Sequence, residues 1–196
     1  MIKRFFDLIS SVVGLIILFP LLMMISILIK LNSKGPILFL QERVGLDAKL
    51  FKVLKFRTMF LNSQKNGLLT IGNDPRITSV GFFLRRYKLD ELPQLVNVLK
   101  GEMSIVGPRP EVPEFIKLYK HDIREKILSI KPGLTDLASI KLINESQILS
   151  SYKDPYLAYK DKLLRKKQKY YLFYKNNKNI CLDIKIIFLT IKRIFS

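Results

Sequence analysis

At 196 residues the chain has the size of one ordinary domain, and with 48% hydrophobic residues it can bury a core. Its 34 Lys and Arg against 16 Asp and Glu leave a formal charge of +18, which favours an anionic partner: nucleic acid, anionic lipid or a phosphorylated substrate. A single cysteine, Cys181, and a single histidine, His121, exclude an intramolecular disulfide and metal sites built from clusters of either residue, and fit a reducing, cytosol-facing compartment.

The first predicted element is an uncharged run of 22 residues, 8–29, long enough to cross a bilayer as a helix. It is too long for the core of a cleavable signal, and no small-x-small cleavage site follows it, so it is expected to remain in the protein. Pro20 near its middle deletes a backbone hydrogen bond and predicts a kink or break. Basic residues flank both sides, Lys3 and Arg4 before and Lys30 and Lys34 after, so the charge rule gives no orientation for a single crossing. A kinked span and a re-entrant helix-break-helix that returns to its own side both satisfy these residues.

Next come two strand patterns, "GPILFLQERVG" and "KLFKVLKFRTM", joined by turn residues around Gly45 and Asp47: a small hairpin. If residues 51–58 are a strand, Lys55 and Arg57 project from one face. That pair suits a phosphate or a carboxylate, and a solvated edge strand guarded by cations accounts for it equally. A polar, turn-rich loop, "NSQKNGLLTIGNDPRI", leads to a helix starting at Thr78 that carries Arg85 and Arg86.

"KLDELPQLVNVL" then offers a second helix start, with Asp90 as its N-cap, Glu91 beside it, and Pro93 tolerated in the first turn. Such a position stabilises a carboxylate and presents N–H groups that favour phosphate; capping alone also explains Asp90. In "GEMSIVGPRPE", Pro108 and Pro110 hold Arg109 in a stiff loop suited to bidentate capture of phosphate oxygens. "KPGLTD" is a further turn around Gly133.

The end of the chain repeats apolar residues at helical spacing: Ile180, Ile184, Ile187, Phe188, Ile191 and Ile194, interrupted by Asp183, Lys185, Lys192 and Arg193. The stretch before it has eight Lys or Arg to one Asp. An interfacial amphipathic helix on anionic headgroups fits this pattern, against the alternative of a charged helix packed on its own domain. Tyr170, Tyr171, Phe173 and Tyr174 among these lysines are the only hint of a nucleic-acid surface, and no nucleic-acid-binding motif accompanies them.

Taken in order, the apolar segment with its central proline, "QERVG", "KFRTM", "LDELPQLVNVLKGEMSIVGPRP", "KPGLTD" and the terminal amphipathic helix resemble the monotopic phosphoglycosyl transferases, small bacterial sugar transferases that begin glycoconjugate assembly. The resemblance runs over essentially the whole chain and matches the form made of the catalytic domain alone. It implies transfer of a phosphosugar from a UDP-sugar to a polyprenyl (undecaprenyl) phosphate, with release of UMP, by ping-pong chemistry through a phosphosugar-aspartyl intermediate. By the same resemblance Asp90 is the nucleophile and the protein ligand of Mg²⁺. Glu91 is the assisting acid, and Lys55, Arg85 and Arg109, with Arg57 as a fourth, bind the substrate's phosphates.

The family likeness also implies that the apolar segment is re-entrant and leaves the chain on the cytosolic face of the bacterial inner membrane, bound to anionic lipid and not to nucleic acid. Here Phe19 precedes Pro20 where many members carry serine, and Asp136 follows "KPGLT" where many carry glycine. The expected fold is an α-rich α+β one. Residues 1–34 form a re-entrant membrane helix broken near Pro20, 35–178 a compact cytosolic catalytic region with a small β-hairpin, and 179–196 an interfacial amphipathic helix. Competing expectations are a membrane-tethered nucleic-acid-binding protein, a non-catalytic membrane scaffold, or an enzyme that moves sugar without phosphate and releases UDP.

Overall fold

A computed structural model describes residues 2–61, 69–70, 72, 74–142 and 144–194 of the chain. It is helix-rich with two small sheets. The first helix, α1 (Ile2–Asn32), contains the whole apolar run and continues through Pro20, where a break was expected. The reason is positional. Pro20 lies on the exposed face of α1, and so does Ile16, whose carbonyl it deprives of a partner, so the lost bond disturbs no packed contact.

The other face of α1 is packed along its whole length. Near its start, Arg4 donates to the carbonyls of Val98 and Leu99 at 2.6 and 2.8 Å, and Asp7 accepts from Ser104 Oγ at 3.0 Å and from the Ile105 amide at 3.1 Å. Leu15 and Leu18 join one apolar cluster in its middle, and Ile25 and Ile29 another near its end. These positions recur at three- and four-residue steps, so a single stripe faces the body. The opposite stripe, with Ile9, Ile16, Phe19, Met23 and Ile27, is exposed.

The hairpin forms as its turn residues predict. Strand β1 (Leu38–Val44) runs antiparallel to β2 (Leu50–Phe56), with Val44 opposite Leu50 and Leu38 opposite Phe56, and Asp47 and Ala48 turn the chain at φ 52° and 60°. Strand β2 stops at Phe56, two residues short of expectation. Residues 62–68, 71 and 73 of the following polar loop lie outside the described residues. Helix α2 (Ser79–Arg86) starts where expected, capped by Thr78, whose hydroxyl accepts from the Gly81 amide at 2.9 Å.

After a 3₁₀ turn (Leu89–Glu91) comes α3 (Gln94–Lys100). Its Asn97, wholly buried, accepts from the Leu54 amide at 3.0 Å and donates to the Lys52 carbonyl at 2.8 Å, bonding α3 to β2. Strands β3 (Ser104–Val106) and β4 (Gly133–Thr135) pair in parallel. Just past β3 the loop with Arg109 crosses the start of β4. The Gly133 amide donates to the Pro108 carbonyl at 2.9 Å, and a Cβ on Gly133 would stand 2.1 Å from the Gly107 nitrogen. Only glycine permits that approach.

Five short elements, α4 (Pro113–Ile116), α5 (His121–Leu128), α6 (Leu137–Lys141), α7 (Glu145–Ser150) and α8 (Pro155–Ala158), lead through a π-helical turn (Tyr159–Leu163) into α9 (Leu164–Asn177). They enclose a core with Phe115, Ile127, Leu149, Leu164 and Tyr171. The last helix, α10 (Ile180–Ile194), is two-faced. Ile186 is wholly buried in the cluster that holds Val53, Leu95 and Val98, a burial that contributes about 1.5–3 kcal/mol, while Ile184, Phe188 and Ile191 face outward. Asp183, which the sequence offers only as an interruption, is wholly buried and held by Lys3 at 2.8 Å and the Tyr174 hydroxyl at 2.7 Å.

Candidate active site

Four elements converge on the acidic pair. Lys55 comes from the end of β2, Asp90 and Glu91 from the 3₁₀ turn, Arg85 from α2, and Arg109 from the loop after β3. The turn differs from expectation. Asp90 caps no helix: Lys88, in the left-handed region at φ 57°, starts a 3₁₀ turn, and α3 begins only after Pro93. The Leu92 amide donates to the Leu89 carbonyl at 3.3 Å, the three-residue step of the tighter turn. In the tighter turn successive side chains diverge by about 120°, which sends the two acids in different directions.

Glu91 is buried and fully engaged. Lys55 Nζ donates to its Oε1 at 2.9 Å, and the Arg109 guanidinium forks onto both oxygens, with Nη1 to Oε2 at 3.1 Å and Nη2 to Oε1. Burial alone would raise its pKa, but Arg109 and Lys55 overcome this and hold the carboxyl well below the usual glutamate range. Arg109 is correspondingly held well above its usual value by Glu91. Lys55 goes the other way: burial outweighs its share of Glu91, which Arg109 also neutralises, and its pKa falls to about 8.

Asp90 is equally buried, yet among the described residues no hydrogen bond reaches its carboxylate. Burial, then the charge of Glu91, raise its pKa; Lys55, Arg85 and Lys88 oppose them from a distance. Arg85 itself hydrogen-bonds Thr70 Oγ1 at 3.2 Å, and burial lowers its pKa. The pair therefore divides into a locked anion, Glu91, and an open acid, Asp90.

Arg57 is not brought to the pair. Because β2 ends at Phe56, Arg57 leaves the strand, and its guanidinium binds the carbonyls of Ser33 and Lys34 at 2.7 and 2.6 Å and the Ser33 hydroxyl at 2.9 Å. It ties down the end of α1.

Three further residues shape the site and were not singled out from the sequence as parts of it. Lys88 supplies positive charge to both acids; its place two residues before Asp90 was the available signal. Arg43 donates to the Pro110 carbonyl at 3.0 Å and is bridged by Gln41 on the same strand face, so it braces the Arg109 loop. The two-residue spacing of Gln41 and Arg43 announces it. Asp136 lies buried near Arg109, its oxygens accepting from the Ser139 amide and hydroxyl at 3.0 and 2.5 Å, and burial raises its pKa.

No group of three or more His, Cys, Asp or Glu side chains assembles a metal site among the described residues. The donor set fits Mg²⁺ in a more limited way: one open carboxylate, Asp90, beside cations that attract phosphate. Mg²⁺ is commonly held by one or two carboxylates together with the substrate's own phosphates.

Comparison with known proteins gives a consistent result. The chain matches the family described as bacterial sugar transferase over residues 1–196. It is 43% identical over 202 residues to an undecaprenyl-phosphate glucose phosphotransferase of Komagataeibacter xylinus, covering 99% of this chain and 36% of the relative. An undecaprenyl-phosphate galactose phosphotransferase of Salmonella typhimurium is 43% identical over 161 residues, 74% of this chain and 33% of the relative. The exopolysaccharide production protein PSS of Rhizobium leguminosarum bv. phaseoli is 44% identical over 147 residues, 71% of this chain and 74% of the relative. The chain thus spans about a third of the length of the first two.

Proposed function

Because the chain belongs to the family of bacterial sugar transferases, we propose that it moves a phosphosugar from a UDP-sugar to a polyprenyl phosphate, releasing UMP and forming a polyprenyl-diphosphate sugar. The names of its relatives support the reaction class and the undecaprenyl-phosphate acceptor. They differ in sugar, glucose in one and galactose in the other, so the likeness favours neither. The relative named for exopolysaccharide production supports a role at the start of glycan assembly.

The observation that carries the mechanism is the asymmetry of the acidic pair. An Asp90 oxygen attacks the sugar-bearing phosphorus; the bond from that phosphorus to the UMP oxygen breaks, and UMP leaves with the bonding electrons. A polyprenyl phosphate oxygen then attacks the same phosphorus, and the bond to Asp90 breaks. Such a two-step displacement needs a carboxylate free of other partners, which Asp90 is and Glu91 is not. Arg85 and Lys88 face the incoming diphosphate, while Lys55 and Arg109 hold Glu91 ionised beside the reacting oxygen and can donate hydrogen bonds to phosphate as well. Mg²⁺ held by Asp90 would offset the charge of the diphosphate and favour the ionised aspartate.

The same reading places the chain on one face of a membrane, the cytosolic face of the inner membrane. A helix whose start and end are both bonded to one polar body cannot deliver those ends to opposite sides of a bilayer. On this proposal α1 enters a single leaflet with its outer stripe, and the outward residues Ile184, Phe188 and Ile191 of α10 rest at the interface.

The test is direct. Purified protein in detergent, given UDP-sugars, Mg²⁺ and undecaprenyl phosphate, should release UMP, and Asp90→Asn should not. Release of UDP, or full activity in the variant, would overturn the mechanism; a phosphosugar adduct on Asp90 would establish it.

A further inference from the structure

Behind the site lies a chain of buried charges that the transfer chemistry does not use. Lys167 on α9 is 6% exposed, and its ammonium reaches Glu145 Oε1 at 2.8 Å, the Tyr159 hydroxyl at 3.3 Å and Glu111 Oε1 at 3.7 Å. An apolar side chain of similar length would hold α9 on its core as well, and a buried ion pair on its own is weak evidence of stability. What the ammonium adds is a grip on two carboxylates that belong to different parts of the chain.

Each of those carboxylates leads to one cation of the site. Glu111 closes the Arg109 loop. Its carbonyl accepts from the Val44 amide at 3.0 Å and its Oε1 from the Tyr159 hydroxyl at 3.1 Å, while Arg43, which holds the Pro110 carbonyl, stands 3.8 Å from its Oε2. Glu145 begins α7, and the carbonyl of the next residue, Ser146, accepts from the Gly72 amide at 3.4 Å. Two residues before Gly72 stands Thr70, whose hydroxyl takes Arg85 at 3.2 Å, and Leu69 packs on the same core as Tyr159 and Leu164. Arg109 and Arg85 thus come to the acidic pair from different elements, yet the segments that hold them meet at one nitrogen.

We propose that Lys167 is a positioning residue, which through Glu111 and Glu145 fixes Arg109 and Arg85 relative to each other and so sets the seat of the substrate's diphosphate. This rests on the transfer reaction proposed above. A purely structural ion pair would support the fold and leave the relation of the two cations alone.

A run of contacts is a coupling only if a cut at one end is felt at the other. Lys167→Met cuts the chain of charges at its centre. Glu145→Gln cuts only the arm toward Arg85, at a side chain 30% exposed, where folding tolerates it. Ile123→Ala, which belongs to the same core and to none of these bonds, is the control for lost stability. Amide hydrogen exchange is read first, without substrate, at Val44 and Gly72. Lys167→Met should speed exchange at both about tenfold, Glu145→Gln at Gly72 alone, and Ile123→Ala at either only as much as in the rest of the core.

UMP release in detergent is read next. In Lys167→Met, kcat/KM for UDP-sugar should fall about tenfold, mostly through KM; in an Arg85→Lys background the same change should cost about threefold or less, because part of what Lys167 sets is already lost. Unaltered exchange at Gly72 in both Lys167→Met and Glu145→Gln would overturn the shared brace. So would equal costs of Lys167→Met in the two backgrounds, or an Ile123→Ala variant with the same rise in KM, either of which reduces Lys167 to a structural ion pair. Wild-type protein that released no UMP while exchange at Val44 and Gly72 stayed linked through Lys167 would sink the transfer reading and leave the brace standing.

Discussion

Two buried acid clusters in this strongly basic chain look alike in composition and differ in accounting. At the base of α1, Asp7 is satisfied by Ser104, Ile105 and Lys3, and Asp183 by Lys3 and Tyr174. At the 3₁₀ turn, Glu91 is equally satisfied, but Asp90 beside it is not. A carboxylate held by donors from its own fold is part of the scaffold; one that no donor reaches in the interior is costly unless a ligand or a reaction completes it. Burial does not distinguish the clusters. The donor count does.

The sharpest way to break that contrast is to neutralise one acid in each cluster. Asp90→Asn should lower UMP release about 10⁴-fold or more while leaving thermal stability unchanged or slightly raised, because the charge removed had no hydrogen-bonded partner and sat against Glu91. Asp183→Ala should do the opposite, costing about 1–3 kcal/mol in denaturant unfolding by removing a wholly buried acceptor shared by Lys3 and the Tyr174 hydroxyl, with activity per folded molecule nearly kept. Matching losses of stability at both sites would erase the distinction.

Glu91→Gln tests the locked half of the pair. It strands Lys55 and Arg109 and should lower the rate about 100-fold, with a measurable fall in melting temperature that Asp90→Asn does not share. The smallest effect concerns pH. With its pKa near 8, Lys55 keeps its proton below that pH and loses it above, so kcat/KM should decline about tenfold per unit as pH rises beyond 8. Lys55→Arg should remove that limb. The sign for stability is the reverse: the unfolded lysine holds its proton to about 10.4, so between 8 and 10.4 the unfolded state binds more protons and this residue makes stability rise with pH.

Much of the fold is written locally. The turn at Asp47 and the Thr78 cap each depend on a residue type that does one conformational job, and each formed as read; Gly133, read as a turn, instead begins β4, where it crosses Gly107. The cations Lys55 and Arg109, far apart in sequence, meet at Glu91. Arg57 was misplaced because strand alternation holds only while the strand lasts, and β2 ends one residue before it. Asp90 looked like a cap because the left-handed backbone of Lys88, which delays α3 past Pro93, has no signature in a lysine. The packed face of α1 was hidden by its own composition: when both stripes are apolar, periodicity vanishes, and only Arg4, Asp7, Ser11 and Gly14 betray which side touches the body.

Arg4 gives that last feature a practical edge. It clasps the final carbonyls of α3, and α3 through Asn97 grips β2 a short distance before Lys55. The apolar segment is therefore not a detachable tether. Trimming residues 1–32 would strip the clasp from the end of the helix that follows the 3₁₀ turn of Asp90 and Glu91, so the apolar surface cannot be removed by deletion without loosening that turn, only by replacing the outer stripe.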